Sequence, residues 1–176
     1  MNRLRIEKVE RLTLHMHGEA VALCSAAYEE PFADHVEALR QAGAVHLFGR
    51  RNEQLVAHLA WVERHLQVPD GPMLRTAYVE AVATRPDAQR QGYASALLRR
   101  FVACVGDFHL AALSPSDPAF YARLGWETWR GPLFQRRADR WEATPEDEMM
   151  IHRLPATPPL DLDVPISIEW RPGEVW

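Results

Sequence analysis

Cysteine is scarce. Only Cys24 and Cys104 occur in 176 residues. Both lie in apolar, helix-like stretches, "VALCSAAY" and "RRFVACVG". That placement predicts two buried free thiols and excludes a disulfide framework. There is no Cys-x-x-Cys pair and no His-x-x-x-His helix, so no metal site is expected. The eight histidines are scattered, and His46 and His58 fall in strand patterns, where a satisfied structural role is expected. No run of about 18 apolar residues appears, which excludes a membrane-spanning helix. The opening "MNRLRIEKVERLTL" lacks the apolar block and small-residue cleavage site of a signal peptide, so a cytoplasmic chain is expected, with no membrane partner. Internal repeats and low-complexity linkers are absent. The formal charge of −4 argues against nucleic acid and suits a cationic partner.

The composition, 47% hydrophobic and 25% charged, is that of an ordinary globular protein, and the length predicts one domain over 1–176. "LRIEKVERLTLHM" reads as an opening strand. "GEAVALCSAAYEE" has helical spacing at Val21, Leu23, Cys24 and Ala27; Pro31 breaks it, and "ADHVEALRQAG" predicts a second helix stopped by Gly43. Two strands flank the polar turn "RRNEQ", and "LRTAYVEAVATRP" reads as a central strand. Ala94, Leu97, Leu98, Phe101, Val102 and Val105 mark an amphipathic helix. "FHLAALS", "WETWRG" and "MMIHRLP" read as strands, "DPAFYARLG" as a short helix, and "PLFQRRADRWEATPEDE" as a hairpin or loop. A Pro-interrupted tail closes the chain. The order β-α-α-β-β-β-α-β-α-β-β predicts an α+β fold on one mixed sheet.

The most informative stretch is "YVEAVATRPDAQRQGYASALL". A strand ending at Thr84-Arg85-Pro86 is expected to pass into a helix starting near Gln89. The first amides of a helix have no partner within it and carry partial positive charge, which suits a pyrophosphate. Gly92 costs such a helix about 1 kcal/mol relative to Ala, a cost offset if an oxygen must approach the backbone. A tolerated glycine in a solvated first turn is the blander alternative.

"VEAVATRPDAQRQGYA" resembles the fingerprint of the GCN5-related N-acetyltransferase superfamily: an apolar strand, a Pro-containing loop, then Gln/Arg-x-x-Gly-x-Gly/Ala opening a helix. The resemblance spans residues 4 to 154. It implies that fold, with a mixed central sheet of about seven strands flanked by about four helices, and acetyl-CoA as co-substrate. The backbone of Val82, Ala83 and Thr84 is then expected to hold the pantetheine and acetyl carbonyl. The amides of Gln89, Arg90, Gln91, Gly92, Tyr93 and Ala94 are expected to hold the pyrophosphate.

Further stretches, "YVEAVA", "ALSPSD", "FYARLGW", "WRGP", "TPEDE" and the closing "WRPGEVW", are similar to the aminoglycoside 2′-N-acetyltransferases. This resemblance implies that Glu80, Ser114, Asp147, Glu174 and Trp176 meet the acceptor and that Tyr121 lies beside the CoA sulfur. The tail, 155–176, is expected to fold back on the acceptor site, with Glu174 on an ammonium, Trp176 on a sugar ring and the terminal carboxylate adding charge. Glu80 sits in a mostly apolar strand, where an unpaired carboxylate is costly, and suits a base that takes the amine's proton through a water. Tyr121 suits the acid for the departing thiolate. With reference pKa values of about 10 and 8.5 that transfer is uphill by about 2 kcal/mol, less if the tyrosine pKa is lowered. The blander alternatives are a surface strand residue for Glu80, a core aromatic for Tyr121, a helix N-cap for Ser114 or Ser116, and a solvated turn for Asp147.

The N-terminal half departs from that group. Where an Asp-rich segment is expected, the chain reads "YEEPFADHVEALRQAG", with Glu29, Glu30 and Asp34 displaced and His35 where an acid would stand. Fewer acidic contacts suit an acceptor with fewer amines than gentamicin or tobramycin, and kasugamycin is the favoured candidate. Three functions stay open: antibiotic resistance by direct acetyl transfer to an aminosugar, acetylation of another small amine or a protein N-terminus, and a non-catalytic CoA-binding module. A homodimer is also left open.

Overall fold

The computed structural model of the chain describes residues 3–138 and 140–176. Its elements in order are β1 (Arg5–Val9), α1 (Leu14–Tyr28), α2 (Ala33–Gln41), β2 (Val45–Arg51), β3 (Gln54–Gln67), β4 (Met73–Thr84), a 3-10 turn (Pro86–Ala88), α3 (Tyr93–Cys104), β5 (Leu110–Leu113), α4 (Pro118–Ala122), β6 (Glu127–Thr128), β7 (Leu133–Arg137), β8 (Arg140–Ala143), β9 (Met150–Arg153) and β10 (Ile166–Glu169). The strand order is β6-β9-β5-β4-β3-β10-β7-β8, with β2 also paired to β3 and β1 to β2. This is the expected α+β fold on a mixed sheet, with four α-helices and ten strands among the described residues. The chain divides into two compact units, Met1–Val62 with Val79–Cys104, and Glu63–Tyr78 with Val105–Trp176. The long strands β3 and β4 contribute residues to each.

In the first unit β1, β2 and β3 form an antiparallel meander. Asn52 and Glu53, at φ 50° and 61°, make the two-residue turn between β2 and β3, where two left-handed residues match the strand twist. Helix α1 begins at Leu14, because Thr13 accepts a hydrogen bond from the Met16 amide (3.2 Å) and caps it. The opening strand therefore stops at Val9 instead of running on through "LTLHM". The Arg50 guanidinium grips both oxygens of Glu19 on α1 at 2.7 and 2.6 Å. Helix α3 buries Leu97, Leu98 and Phe101, the last edge-on to Trp61 at 5.2 Å.

A buried polar relay crosses this core. Cys24 Sγ lies 3.6 Å from His58 Nδ1, and His58 Nε2 lies 3.0 Å from His46 Nδ1. Burial pushes the Cys24 thiol up to about 12, so it stays protonated and able to donate to His58. Neutral His58 then has its other ring nitrogen available to donate to His46. Burial also pushes His46 down to about 4 and His58 down to about 3. Both imidazoles are thus neutral structural groups. Cys24 and Cys104 are free thiols; Cys24 is buried as expected, but Cys104, at the end of α3, is only half-buried.

The second unit explains the "WRGP" stretch and the tail together. Strand β10 runs antiparallel to the end of β3 (Ser167 opposite Gln67) and parallel to β7 (Ile166 opposite Leu133), so it lies inside the sheet. The chain leading into β10 is received by Trp129, whose indole N–H donates to Val164 O (2.9 Å), and by Arg130, bidentate on Asp163 at 2.6 and 2.7 Å. Gly131 is obligatory there, because a Cβ would stand 1.9 Å from the Val164 carbonyl oxygen. Strands β7 and β8 form the antiparallel hairpin that "PLFQRRADRWEA" foreshadows, and β9 pairs with both β5 and β6. Among the described residues no helix is long and apolar enough to cross a membrane.

The histidine pair predicts an acid-sensitive fold. Below about 6.5 the unfolded chain binds protons that the folded pair refuses, so stability falls as pH drops from about 6.5 to about 4. Thermal unfolding at pH 7 and pH 5 should show a loss of several degrees in the native chain. The His46→Leu/His58→Leu double variant should lose less, and an equal loss in both would contradict the assignment.

Candidate active site

The first unit holds the donor-side residues. Along β4, Glu80, Val82 and Thr84 are half-buried while Ala81 and Ala83 are buried, the two-residue alternation of a strand with one covered face. Backbone polar groups alternate in the same way between the two edges. At the end of the strand Arg85 donates its N–H to Val56 O on β3 at 2.9 Å, whereas at its start Arg75 faces His109, so the alternation is read only over the last residues. There the even-numbered residues face the other edge. Val82 shows this directly: its N–H donates to the Tyr28 hydroxyl (3.1 Å), and that hydroxyl donates to the Val82 carbonyl (3.0 Å). Of the three residues expected to offer backbone groups, Val82 and Thr84 face this edge and Ala83 faces β3.

Beyond β4, the helix starts at Tyr93 and not near Gln89. Residues 89–92 form a loop in which Arg90 (φ 60°) and Gly92 (φ 81°) are left-handed. Gly92 therefore answers to a backbone angle, not to a place inside a helix. Its carbonyl accepts the first helical bond, from the Ala96 amide at 3.0 Å, so the amides that follow it point out of the helix start. Nothing lies within 4 Å of where a Gly92 Cβ would be. Turns that alternate in this way gather successive N–H groups into a concave, anion-attracting surface. Arg51, on β2, reaches this loop: it donates to the Tyr93 hydroxyl (2.9 Å) and to Gln91 Oε1 (3.2 Å). Two neutral acceptors leave its positive charge uncompensated by either. Sequence reasoning missed Arg51, because only the β2–β3 hairpin brings it to the loop.

The second unit holds the remaining expected residues. Ser114 is exposed directly after β5. It does not cap α4, and neither does Ser116: Asp117 does, accepting from the Phe120 amide at 3.2 Å. Tyr121 on α4 is buried, and burial raises its pKa, with a hydrogen bond from Ser116 pulling the other way and Asp117 adding to the rise. The easing that a lowered tyrosine pKa would bring is therefore absent. The phenol is fully protonated at neutral pH and gives its proton up less readily than a free tyrosine.

The tail is fastened at three points. Trp176 is only 6% exposed, and its indole N–H donates to Thr144 Oγ1 at 2.9 Å. The Thr144 carbonyl accepts from the Asp147 amide at 3.1 Å, so Trp176 and the acidic turn share one anchor. Arg64, near the end of β3 and 4% exposed, donates Nε to Glu169 Oε1 (2.9 Å), one terminal nitrogen to Glu169 O (2.6 Å) and the other to Val175 O (2.9 Å). Its planar fork fixes the strand and the last residues relative to each other. Asp147 and Glu174 are both exposed. Arg64 was not singled out from sequence, although a lone arginine in the apolar run "LAWVERHL" was the available signal.

The segment from Tyr28 to His35 is also placed. Glu29, at φ 57°, ends α1 as its left-handed cap, and Glu30 is exposed. Asp34 lies in the first turn of α2, where the helix dipole favours an acid. The His35 ring packs on Phe32 at 4.5 Å.

Comparison with known proteins agrees with this geometry. Residues 8–129 match the family model of the acetyltransferase (GNAT) domain. An aminoglycoside 2′-N-acetyltransferase of Mycolicibacterium fortuitum is 37% identical, over 85% of this chain and 80% of the relative. A GNAT family N-acetyltransferase of Escherichia coli, solved with CoA, superposes with a TM-score of 0.72 at 21% identity, covering 97% of this chain and 91% of that one. A GNAT acetyltransferase of Brucella melitensis, solved with acetyl-CoA, has a TM-score of 0.66 at 16% identity, covering 94% and 96%. At those identities the two structures establish the fold alone. The chain belongs to the GNAT acetyltransferase family: it is an N-acetyltransferase with acetyl-CoA as co-substrate.

Arg64→Met keeps an unbranched stem and removes the guanidinium with the bonds it makes to Glu169 and Val175. Breaking a buried ionic contact on one side costs about 3–5 kcal/mol. The variant should lose roughly 5–15 °C in Tm and become sensitive to chymotryptic cleavage at Trp170. Unchanged protection of that bond would contradict the clamp.

Proposed function

We propose that this acetyltransferase transfers acetyl from acetyl-CoA directly to an amine of an aminoglycoside, at the 2′ position, as a resistance enzyme. The observation that carries the reading is the anchoring of Trp176 to the turn that holds Asp147. It presents two exposed carboxylates, Asp147 and Glu174, on a fixed support. Each carboxylate near an ammonium contributes a few kcal/mol at most in partly screened surroundings, so a polycationic sugar needs several. The 37% identical relative carries the name of the same activity.

In this reading Val82 and Thr84 offer the open edge of β4 to the pantetheine arm and acyl carbonyl. The amides of residues 89–94 receive the pyrophosphate, with Arg51 adding charge. Bound there, acetyl-CoA supplies the activated thioester. Glu80, two residues before Val82 on the same half-buried face, takes the proton from the acceptor ammonium through a water. Tyr121 delivers its proton to the departing sulfur late, once the thiolate has formed, and its raised pKa makes that transfer more uphill than from a free phenol. Ser114 hydrogen-bonds the acceptor, Glu174 reads an ammonium and Trp176 walls the pocket. Neither cysteine is required, and Cys24 is unreactive because its thiol is held protonated.

Kasugamycin is the favoured acceptor. The support is the departure of the 28–35 segment from an Asp-rich pattern, with His35 where an acid would stand, although Glu29, Glu30 and Asp34 are all exposed.

CoA release should be followed across an aminoglycoside panel that includes kasugamycin, tobramycin and a polyamine. Aminosugar turnover is expected, with kcat falling at least about 100-fold in Glu80→Gln. A higher kcat/KM for kasugamycin than for tobramycin is expected, and equal values would remove that preference. Turnover of the polyamine alone would move the acceptor out of the aminoglycosides.

A further inference from the structure

Tyr28 has a feature that neither helix packing nor the acceptor reading explains. It is the last residue of α1, 39% exposed, yet its hydroxyl satisfies both polar groups of a single strand residue, Val82. A hydroxyl that accepts from an N–H and donates to the C=O of the same residue occupies the position of a partner strand's peptide. The ring is held in that position by stacking on Phe32 at 4.7 Å and 13°, and Phe32 is fixed in turn by its amide bond to Ser25 Oγ at 3.1 Å.

The proposed function assigns those same Val82 groups to the acyl-pantetheine arm, and the inference rests on that reading. Val82 has one N–H, and the acyl carbonyl and the Tyr28 hydroxyl cannot both be its principal acceptor. We propose that Tyr28 is a donor-specificity residue that acts as a displaceable placeholder on the Val82 edge. The hydroxyl keeps the strand's polar groups satisfied until a ligand long enough to reach Val82 displaces it. Nucleotides that carry only the phosphate end bind without disturbing it. The hydroxyl thereby narrows the preference for a complete acyl-pantetheine donor over its truncated fragments, which is set by how far the donor's own bonds exceed those of the hydroxyl. Phe32 supports the resting position of the ring, and rotation at Tyr28 leaves Phe32 in the core.

The test is Tyr28→Phe, which keeps the ring and its stacking and removes only the oxygen. Affinities of both forms are measured by calorimetry for acetyl-CoA and for adenosine 3′,5′-bisphosphate, which lacks the pantetheine. Removing two competing hydrogen bonds should tighten acetyl-CoA binding about tenfold and lower its KM, with kcat within about twofold. Affinity for the bisphosphate should not change. Tyr28→Phe binding acetyl-CoA equally or more weakly would overturn the placeholder role, because the hydroxyl would then be neutral or would contact the donor. Equal tightening for both ligands would also overturn it, as a general structural effect. If the native chain binds the bisphosphate but acetyl-CoA no more tightly, the assignment of Val82 to the donor fails, and the placeholder fails with it. Thermal unfolding of the variant within a few degrees of the native chain separates these outcomes from misfolding.

Discussion

A residue in a β-strand turns its own N–H and C=O to the same edge, and the proposed donor chemistry depends on that constraint. At the end of β4 Arg85 commits to β3, while Val82 turns to the opposite edge. On the other edge the Val82 groups are met by the Tyr28 hydroxyl and the Thr84 carbonyl by the Gln89 side chain at 3.5 Å. The same parity puts the side chains of Glu80, Val82 and Thr84 on one half-buried face. One alternation therefore brings the proposed proton acceptor and the proposed backbone docking edge within a few residues of each other. The loop that follows continues the arrangement, because left-handed Arg90 and Gly92 release the chain into α3 with its first amides uncommitted.

The second unit solves a different problem, the fixing of a chain end. Strand β10 is inside the sheet, and the residues after it are too few to hold themselves. Arg64 bridges the strand and the last turn, and the Trp176 indole closes on Thr144. The price is a buried guanidinium, offset by the Glu169 carboxylate and two carbonyls. The "WRGP" stretch belongs to this same structure, since Trp129, Arg130 and Gly131 each meet the chain that enters β10. Its residues are set by backbone approach and an ion pair, and they carry no chemistry of their own.

What sequence could reveal followed from local patterns. The central strand, the amphipathic α3 and the Pro-to-Gly loop have periodicities or backbone requirements that a short window displays. The family followed from the loop, and the fold from the family. Strand β10 stayed hidden because four residues between prolines have no period to read; its partners lie about 30 and 100 residues away in sequence. Arg64 and Arg51 were invisible for the same reason, as each acts on a segment that only the folded topology brings near. Gly92 was read as part of a helix because Gln-Arg-Gln has helix propensity, yet two left-handed residues override it. The raised pKa of Tyr121 depends on burial, which no window shows.

The central claim is that the even-numbered edge of β4 and the loop after it receive acetyl-CoA. The most direct measurement is the change in backbone amide NMR shifts as acetyl-CoA is added to the isotopically labelled chain. Large shifts are predicted for the amides of Val82, Thr84 and residues 89–94, with a much smaller one for Arg85, whose N–H is committed to Val56 on β3. Shifts concentrated elsewhere, or equal along β4 without regard to parity, would contradict the account.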